Sequence, residues 1–237
     1  MDITLKLFFK RLFDQKPVVW PILETLQGLK YAANHWYYYS LLKGEQGMSV
    51  REVNIEFASQ CNLRCKFCSL DHEKPKQIID NETLERFLKG FIEDFRFQSI
   101  KRINLYNGGE ILLHPKRMDM LRLIKKYKLL THEAGLKFPE VHMLTNGMLM
   151  RDKLSEEIID IDVVDLLGVS FDGGTPEAFE DMRVNAKWPM FYENIKSFDR
   201  MRKEKKSNVK MCAISCIPGD KARNTSWMHP EFKEIYN

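Results

Sequence analysis

Between residues 52 and 217 five short apolar segments alternate with helix-like segments, and this rhythm narrows the fold more than any other feature of the chain. The strand-like runs are 52–57, 101–106, 140–145, 164–171 and 208–217. The helix-like runs are 81–97, 116–134, 151–159, 189–204 and 229–236. At the first of these, Asp80 or Asn81 is a natural cap and acidic residues follow in the opening turn. Strands that each return through a helix pair in parallel, so the chain reads as α/β with helices outside the sheet. Right-handed crossovers curl such a series into a barrel or part of one. The expectation is a partial (β/α) TIM-like barrel of about five to six parallel strands.

In that architecture the site lies at the C-terminal ends of the strands. The residues there are not random. Cys61, Cys65 and Cys68 follow the first strand, and Asn107-Gly108-Gly109-Glu110 follows the second. Thr145-Asn146-Gly147 follows the third, and the fourth ends in Ser170-Phe171-Asp172-Gly173-Gly174. Glycine lets a backbone approach a ligand closely and present its N–H and C=O groups.

The three thiols sit within eight residues in the spacing C-x3-C-x2-C. A closed zinc site or a structural iron–sulfur cluster normally takes four protein ligands. Three leave a metal position open for chemistry. Taken alone, the stretch admits two readings. His72 extends it to C-x3-C-x2-C-x3-H, a Cys3His zinc set for a binding module. Alternatively the three thiolates hold a four-iron cluster, one iron of which has no protein ligand.

Three ordered motifs separate these readings, because zinc binding needs neither glycine-rich segment. Over about residues 52–217 the chain resembles the radical S-adenosylmethionine (radical SAM) enzymes. The cysteine motif has Phe67 in the family's aromatic place. Gly108-Gly109-Glu110-Ile111-Leu112-Leu113-His114-Pro115 resembles the second element, with Ile111 where proline is frequent. Ser170-Phe171-Asp172-Gly173, then Thr175-Pro176-Glu177 and Arg183, resembles the SPASM-type peptide-modifying branch. The resemblance implies that Cys61, Cys65 and Cys68 bind a [4Fe-4S] cluster whose fourth iron is chelated by S-adenosyl-L-methionine. It further implies that Gly108, Gly109 and Glu110 meet the amino group of that nucleotide, and Ser170 and Arg183 its carboxylate. Asn146 or Asp172 would order the ribose or the loop beneath it, and Phe67 would lie near the adenine. One electron, from a donor such as a flavodoxin or ferredoxin, would then release a 5′-deoxyadenosyl radical that takes hydrogen from a substrate. The substrate implied is a peptide or protein. The alternatives are a small molecule, nucleotide or sugar, or a catalytically silent fragment that keeps only the cofactor pocket.

The resemblance is incomplete. Five units are legible where the family core has six, and no cysteine cluster follows Cys216 to form the branch's auxiliary domain. Residues 51–237 therefore read as a radical SAM core incomplete at its C-terminal side, and residues 1–50 as a helical extension. In that extension Leu5, Phe8, Phe9, Leu12 and Phe13 share a helical stripe, with Lys6, Lys10 and Arg11 off it. This reads as a cap packed on the core; membrane contact through residues 1–20 is the second reading.

Charge adds little. Thirty-seven Lys and Arg against 33 Asp and Glu leave a net +4, interspersed throughout, so no nucleic-acid partner is indicated. Five cysteines, three of them within eight residues, do not make a disulfide framework and imply a reduced, cytoplasmic protein. Cys212 and Cys216 stand at even spacing on the last strand and read as small hydrophobes rather than ligands.

Overall fold

The computed structural model describes residues 50–216 and 225–236, together with positions 25, 26, 28–30, 32, 33 and 36, which have helical backbone where described. The stripe from Leu5 to Phe13, the proposed membrane contact and most of the 1–50 extension lie outside the described residues. Residues 50–216 and 226–236 belong to one compact unit.

Five strands form its sheet: β1 (Glu52–Asn54), β3 (Arg102–Leu105), β4 (Glu140–Thr145), β5 (Leu166–Ser170) and β7 (Lys210–Ile214). All neighbours are parallel, in the order β1-β3-β4-β5-β7. The order follows the chain with no reversal. Right-handed crossovers therefore put every connecting helix on one face. These helices are α1 (Asn81–Glu93), α2 (Arg117–Glu133), α3 (Asp152–Ile161), the short α4 (Pro176–Met182) and α5 (Trp188–Glu204). A last helix, α6 (Pro230–Tyr236), follows β7. Among the described residues no helix is long and apolar enough to cross a membrane.

The helix-covered face is the core. Ile103, Leu105, Val141, Met143, Leu167 and Val169 meet Leu84, Leu88 and Phe91 of α1, Leu121 and Ile124 of α2, Ile158 of α3 and Phe191, Ile195 and Phe198 of α5. Those helical positions recur every three or four residues, as a buried stripe requires. Burying each such side chain contributes about 1.5–3 kcal/mol. The opposite face carries the alternate residues. One register row across it reads Asn54, Asn104, His142, Leu166 and Lys210.

Local chemistry sets the boundaries. Asp80 caps α1 by accepting from Thr83 N at 2.6 Å. The expected helix 81–97 instead breaks at Asp94, which accepts from Arg96 N and opens a 3-10 turn over Phe95–Ser99. That turn folds Phe97 back over Gly90, where a Cβ would stand 2.4 Å from the ring. The first strand is shorter than 52–57. Ile55 N still donates to Asn104 O, but Ala58 then bridges antiparallel to Ile78. The last strand covers Lys210–Ile214 rather than 208–217. Thr175 caps α4, with Pro176 in its first turn.

Two further strands belong to the site rather than the main sheet. β2 (Arg64–Cys65) pairs antiparallel with β6 (Arg183–Val184), setting Cys65 opposite Arg183. Lys66 N also donates to Met182 O at 2.9 Å. The cysteine loop is thereby fastened to the end of α4.

Candidate active site

The loop that follows β1 carries all three thiols, and each sulfur meets a nitrogen donor or an opposing charge. Leu63 N donates to Cys61 Sγ and Leu70 N to Cys68 Sγ, both at 3.4 Å. Asn146 Nδ2, from the end of β4, reaches Cys61 Sγ at 3.6 Å. Arg183 Nη1, from the end of α4, reaches Cys65 Sγ at 3.7 Å. The thiols feel one another electrostatically. Burial pushes the Cys61 thiol above its ordinary value. It does the same to Cys65, where the Arg183 charge opposes it.

This donor set fits a cluster better than a single ion. Ligands of one zinc ion lie within about 4 Å of each other, given Zn–S bonds near 2.3 Å. Among the described residues no three of His, Cys, Asp and Glu converge that way. His72 instead turns its Nδ1 to the Arg64 guanidinium, a poor setting for a metal ligand. A polynuclear cluster spreads its cysteines over separate corners and is tuned by N–H groups aimed at sulfur.

The Gly-Gly-Glu turn after β3 is laid against the backbone that leads into Cys61. Glu110 N donates to Gln60 O at 2.8 Å. A Cβ on Gly109 would stand 1.7 Å from Ala58 O, so only glycine fits. Gly108 N and Gly109 N both donate to one carboxylate oxygen of Glu56, at 2.8 and 2.9 Å. The Glu110 side chain points inward. Its Oε1 accepts from Leu112 N (3.1 Å) and Thr145 Oγ1 (2.8 Å), and its Oε2 from Asn146 N (2.8 Å). Full burial raises its pKa against those hydrogen bonds. Glu110 thus caps the following 3-10 turn, Ile111–Leu113, and ties the β3 loop to the β4 loop.

Asn146 and Arg183 are the two hubs. Asn146 also donates to Asn62 Oδ1 at 2.8 Å and accepts from Met148 N at 3.0 Å. Arg183 pairs with Asp172 through Nε at 2.6 Å and through Nη2. Its guanidinium stands 5.4 Å from the centre of the Phe67 ring. Asp172, 1% exposed, also accepts from Cys216 N. Ser170 stands at the C-terminal end of β5 opposite Ile214, without a hydrogen bond to the cysteine loop among the described residues. Beyond Asp172, Gly173 and Gly174 have positive φ, and Trp227 lies where a side chain on Gly174 would be.

Most of the expected residues therefore surround one loop: Cys61, Cys65 and Cys68 with Phe67, Asn146 and Arg183 in contact, and Asp172 and Gly108-Gly109-Glu110 one contact behind. Glu56 and Asn62 were not expected. Glu56 has a signal in hindsight, as an acid between Ile55 and Phe57 on the strand face opposite the core. Cys212 lies within β7, whereas Cys216 lies past its end and joins the site through its backbone.

Comparison with known proteins agrees with this geometry. Residues 55–220 match the Radical SAM superfamily. The chain is 30% identical over 123 residues to the tungsten-containing aldehyde ferredoxin oxidoreductase cofactor-modifying protein of Pyrococcus furiosus, covering 52% of this chain and 31% of that one. It is 28% identical over 185 residues to the serine-type anaerobic sulfatase-maturating enzyme of Bacteroides thetaiotaomicron, covering 74% and 41%. It thus spans less than half the length of either relative. In fold it resembles a solved structure described as native anSMEcpe with bound AdoMet, at a TM-score of 0.56, 20% identity and coverage of 78% and 49%. A chain that sets three cysteines on the loop after its first strand and a Gly-Gly-Glu turn after its second, and that matches the family over residues 55–220, belongs to the radical SAM superfamily of enzymes, whose members bind S-adenosylmethionine at a [4Fe-4S] cluster.

Proposed function

We propose that residues 51–237 form a radical SAM core in which Cys61, Cys65 and Cys68 hold the [4Fe-4S] cluster, and that this core acts on a peptide or protein. The observation that carries the reading is the convergence of Asn146 and Arg183, from two separate loops, on the sulfurs of Cys61 and Cys65. Held by Cys61, Cys65 and Cys68, the cluster with S-adenosylmethionine would supply one-electron reductive cleavage and radical hydrogen abstraction. An electron donor such as a flavodoxin or ferredoxin would provide the reducing equivalent.

The chain's own residues orient and exclude water. Gly108 and Gly109 would approach the amino group of the nucleotide with backbone. Glu110 would hold that turn in place, since both its oxygens are already hydrogen-bonded. Ser170 and Arg183 would bind the carboxylate. Three of the five arginine N–H groups go to Asp172 and Cys65, which leaves two. Asn146 and Asp172 would act as positioning residues beneath the ribose, and Phe67 would pack near the adenine.

A peptide substrate is favoured by what the relatives are named for. They include a sulfatase-maturating enzyme and the subtilosin biosynthesis protein AlbA of Bacillus subtilis, 29% identical over 131 residues. A nucleotide is the second reading, favoured by a GTP 3′,8-cyclase of Chlorobaculum tepidum, 26% identical over 170 residues.

Anaerobic purification and reduction test the reading. The protein should be brown, carry iron and sulfide in near equal amounts, and release 5′-deoxyadenosine slowly under a strong reductant. Cys61→Ala, Cys65→Ala or Cys68→Ala should each abolish the release, and Cys212→Ala should leave it largely intact. An intact cluster with no affinity for S-adenosylmethionine would overturn the proposal.

A further inference from the structure

Among the described residues β1 is an edge strand, paired with β3 alone. Arg51 O accepts from Arg102 N and Ile55 N donates to Asn104 O, so residues 51, 53 and 55 turn their backbone toward β3. The alternate residues Glu52 and Asn54 therefore turn N–H and C=O to the open side, and both are exposed. Past Glu56 the chain pairs with another segment instead. Ala58 bridges antiparallel to Ile78, and Ile79 N donates to Phe57 O at 3.1 Å. An open edge is a template for a further strand, and extended peptides bind folded domains by adding to one.

A cavity of about 290 Å³ follows this edge. Val53, Asn54, Ile55 and Glu56 line it in succession, with Leu84 and Phe87 of α1 as its other wall. At this size it suits a few side chains rather than a drug-sized molecule. A strand laid on β1 would meet both features at once. Its backbone would reach the N–H and C=O of Asn54, and every second side chain would enter the cavity beside Val53 and Ile55. The remaining side chains would share the face of Glu52 and Glu56.

Charge selects the occupant. Segments 50–56 and 79–87 hold five acids against two bases in a chain that is net +4. Arg102 and Lys126 pair with two of those acids, and the balance stays acidic. A second copy paired through this edge about Asn54 would set Glu52 of each copy opposite Glu56 of the other. Like charges directly opposite destabilise a strand pair, so self-pairing is disfavoured. A strand carrying lysine or arginine is complementary instead. Glu56 also holds Gly108 N and Gly109 N, so the cavity lies one side chain from the Gly-Gly-Glu turn.

We propose that the groove along β1 docks an extended segment of the peptide substrate by strand addition, its apolar side chains entering the cavity and its basic side chains alternating with them toward Glu52 and Glu56. The proposal rests on the peptide reading above and names the part of the substrate that is held away from the reacting centre.

The test uses the full-length, cluster-loaded protein. The blocked peptide acetyl-Lys-Val-Thr-Val-Lys-amide is titrated by calorimetry against acetyl-Glu-Val-Thr-Val-Glu-amide, and hydrogen exchange at Asn54 N–H is followed. Saturable binding of the lysine peptide, at least tenfold weaker binding of the glutamate peptide, and slowed exchange at Asn54 on binding are expected. Asn54→Pro removes the outward donor at an edge position that tolerates proline, and should weaken binding at least tenfold. Thr83→Trp enlarges an exposed side chain that lines the cavity. It should weaken binding comparably and covers the case in which the proline variant does not fold. No saturable binding, equal affinity for the two peptides, or unchanged binding in a folded variant would each overturn the proposal. So would an Asn54 N–H already protected in the free monomer, which would mean that the chain covers its own edge, or a dimer abolished by Asn54→Pro, which would mean that a second copy does. Release of 5′-deoxyadenosine from the same samples reports on the cluster separately. Peptide binding without release overturns only the cluster reading, and release without peptide binding overturns only this one.

Discussion

Arg183 and Asp172 are paired in the interior, at 8% and 1% side-chain exposure, while the free arm of the same guanidinium stands against the Cys65 sulfur. Three segments distant in sequence thus meet at one cation: the cysteine loop, the loop after β5, and the end of α4. The pair matters less for stability as a pair than for what happens when it is broken. Removing one member of a buried ion pair leaves the other uncompensated.

The first prediction follows. Asp172→Ala should destabilise the protein by about 3–5 kcal/mol, the usual cost of orphaning a buried charge. Thermal melts of the cluster-free protein would show it. Arg183→Lys keeps a charge near Asp172 but loses the planar fork. It should melt closer to the parent yet bind S-adenosylmethionine markedly more weakly. Equal melting temperatures for Asp172→Ala and the parent would contradict the burial argument.

The two glycines of the Gly-Gly-Glu turn should respond differently. A Cβ at Gly109 would overlap Ala58 O at 1.7 Å, and backbone cannot swing aside as a side chain can. At Gly108 the nearest atoms are side-chain ends, Leu70 Cδ1 at 3.3 Å and Glu56 Oε1 at 3.4 Å. Gly109→Ala should cost about 1–3 kcal/mol and lower iron content by displacing the entry to Cys61, whereas Gly108→Ala should retain both. Iron analysis and melting curves on the two variants would decide it.

Glu56 provides a third test, because its carboxylate gathers the N–H groups of both glycines. Glu56→Ala leaves two donors without their acceptor and frees the turn that would face the nucleotide. Affinity for S-adenosylmethionine should fall about tenfold or more, with iron content preserved, since Glu56 touches no sulfur. Equilibrium dialysis with the nucleotide would measure this. A parallel loss of iron would show instead that Glu56 supports the cysteine loop itself.

Much of this was legible in the sequence, for identifiable reasons. The five parallel strands follow from apolar runs separated by amphipathic helices, and the cysteine, Gly-Gly-Glu and Asp172 segments announce themselves by composition. Contacts between distant segments did not. Nothing local to Arg183 says that it pairs with Asp172 or sits opposite Cys65, because both follow from the two-residue ladder of β2 with β6. Nothing local to Glu110 says that its carboxylate accepts from Thr145 and Asn146, partners set by the packing of neighbouring strand ends. The break at Asp94 was hidden because Phe95 and Phe97 prolong the apolar character of the preceding helix.

The last prediction concerns pH. His142 lies on β4 with 7% exposure, between Arg102 and Glu140. Glu140 Oε2 is 3.3 Å from its Nε2 and favours the imidazolium, as does Asp165 more weakly. Burial and the Arg102 charge favour the neutral ring, and they prevail, holding the pKa below its ordinary value. Glu140 is half exposed, so solvent screens its attraction while burial of the ring is not relieved. In the unfolded chain the ring takes up a proton as pH falls through about 6.5; in the folded chain it does so only at lower pH. The unfolded state therefore binds more protons across that window. The stability due to neutral His142 is present above about pH 6.5 and is lost as pH falls through the folded pKa. Melting temperature should thus decline as pH falls below about 6.5, and His142→Asn, which cannot titrate, should flatten that part of the curve. A parent protein that gains stability on acidification, with the gain lost in the variant, would mean that His142 is charged and paired with Glu140 in the fold.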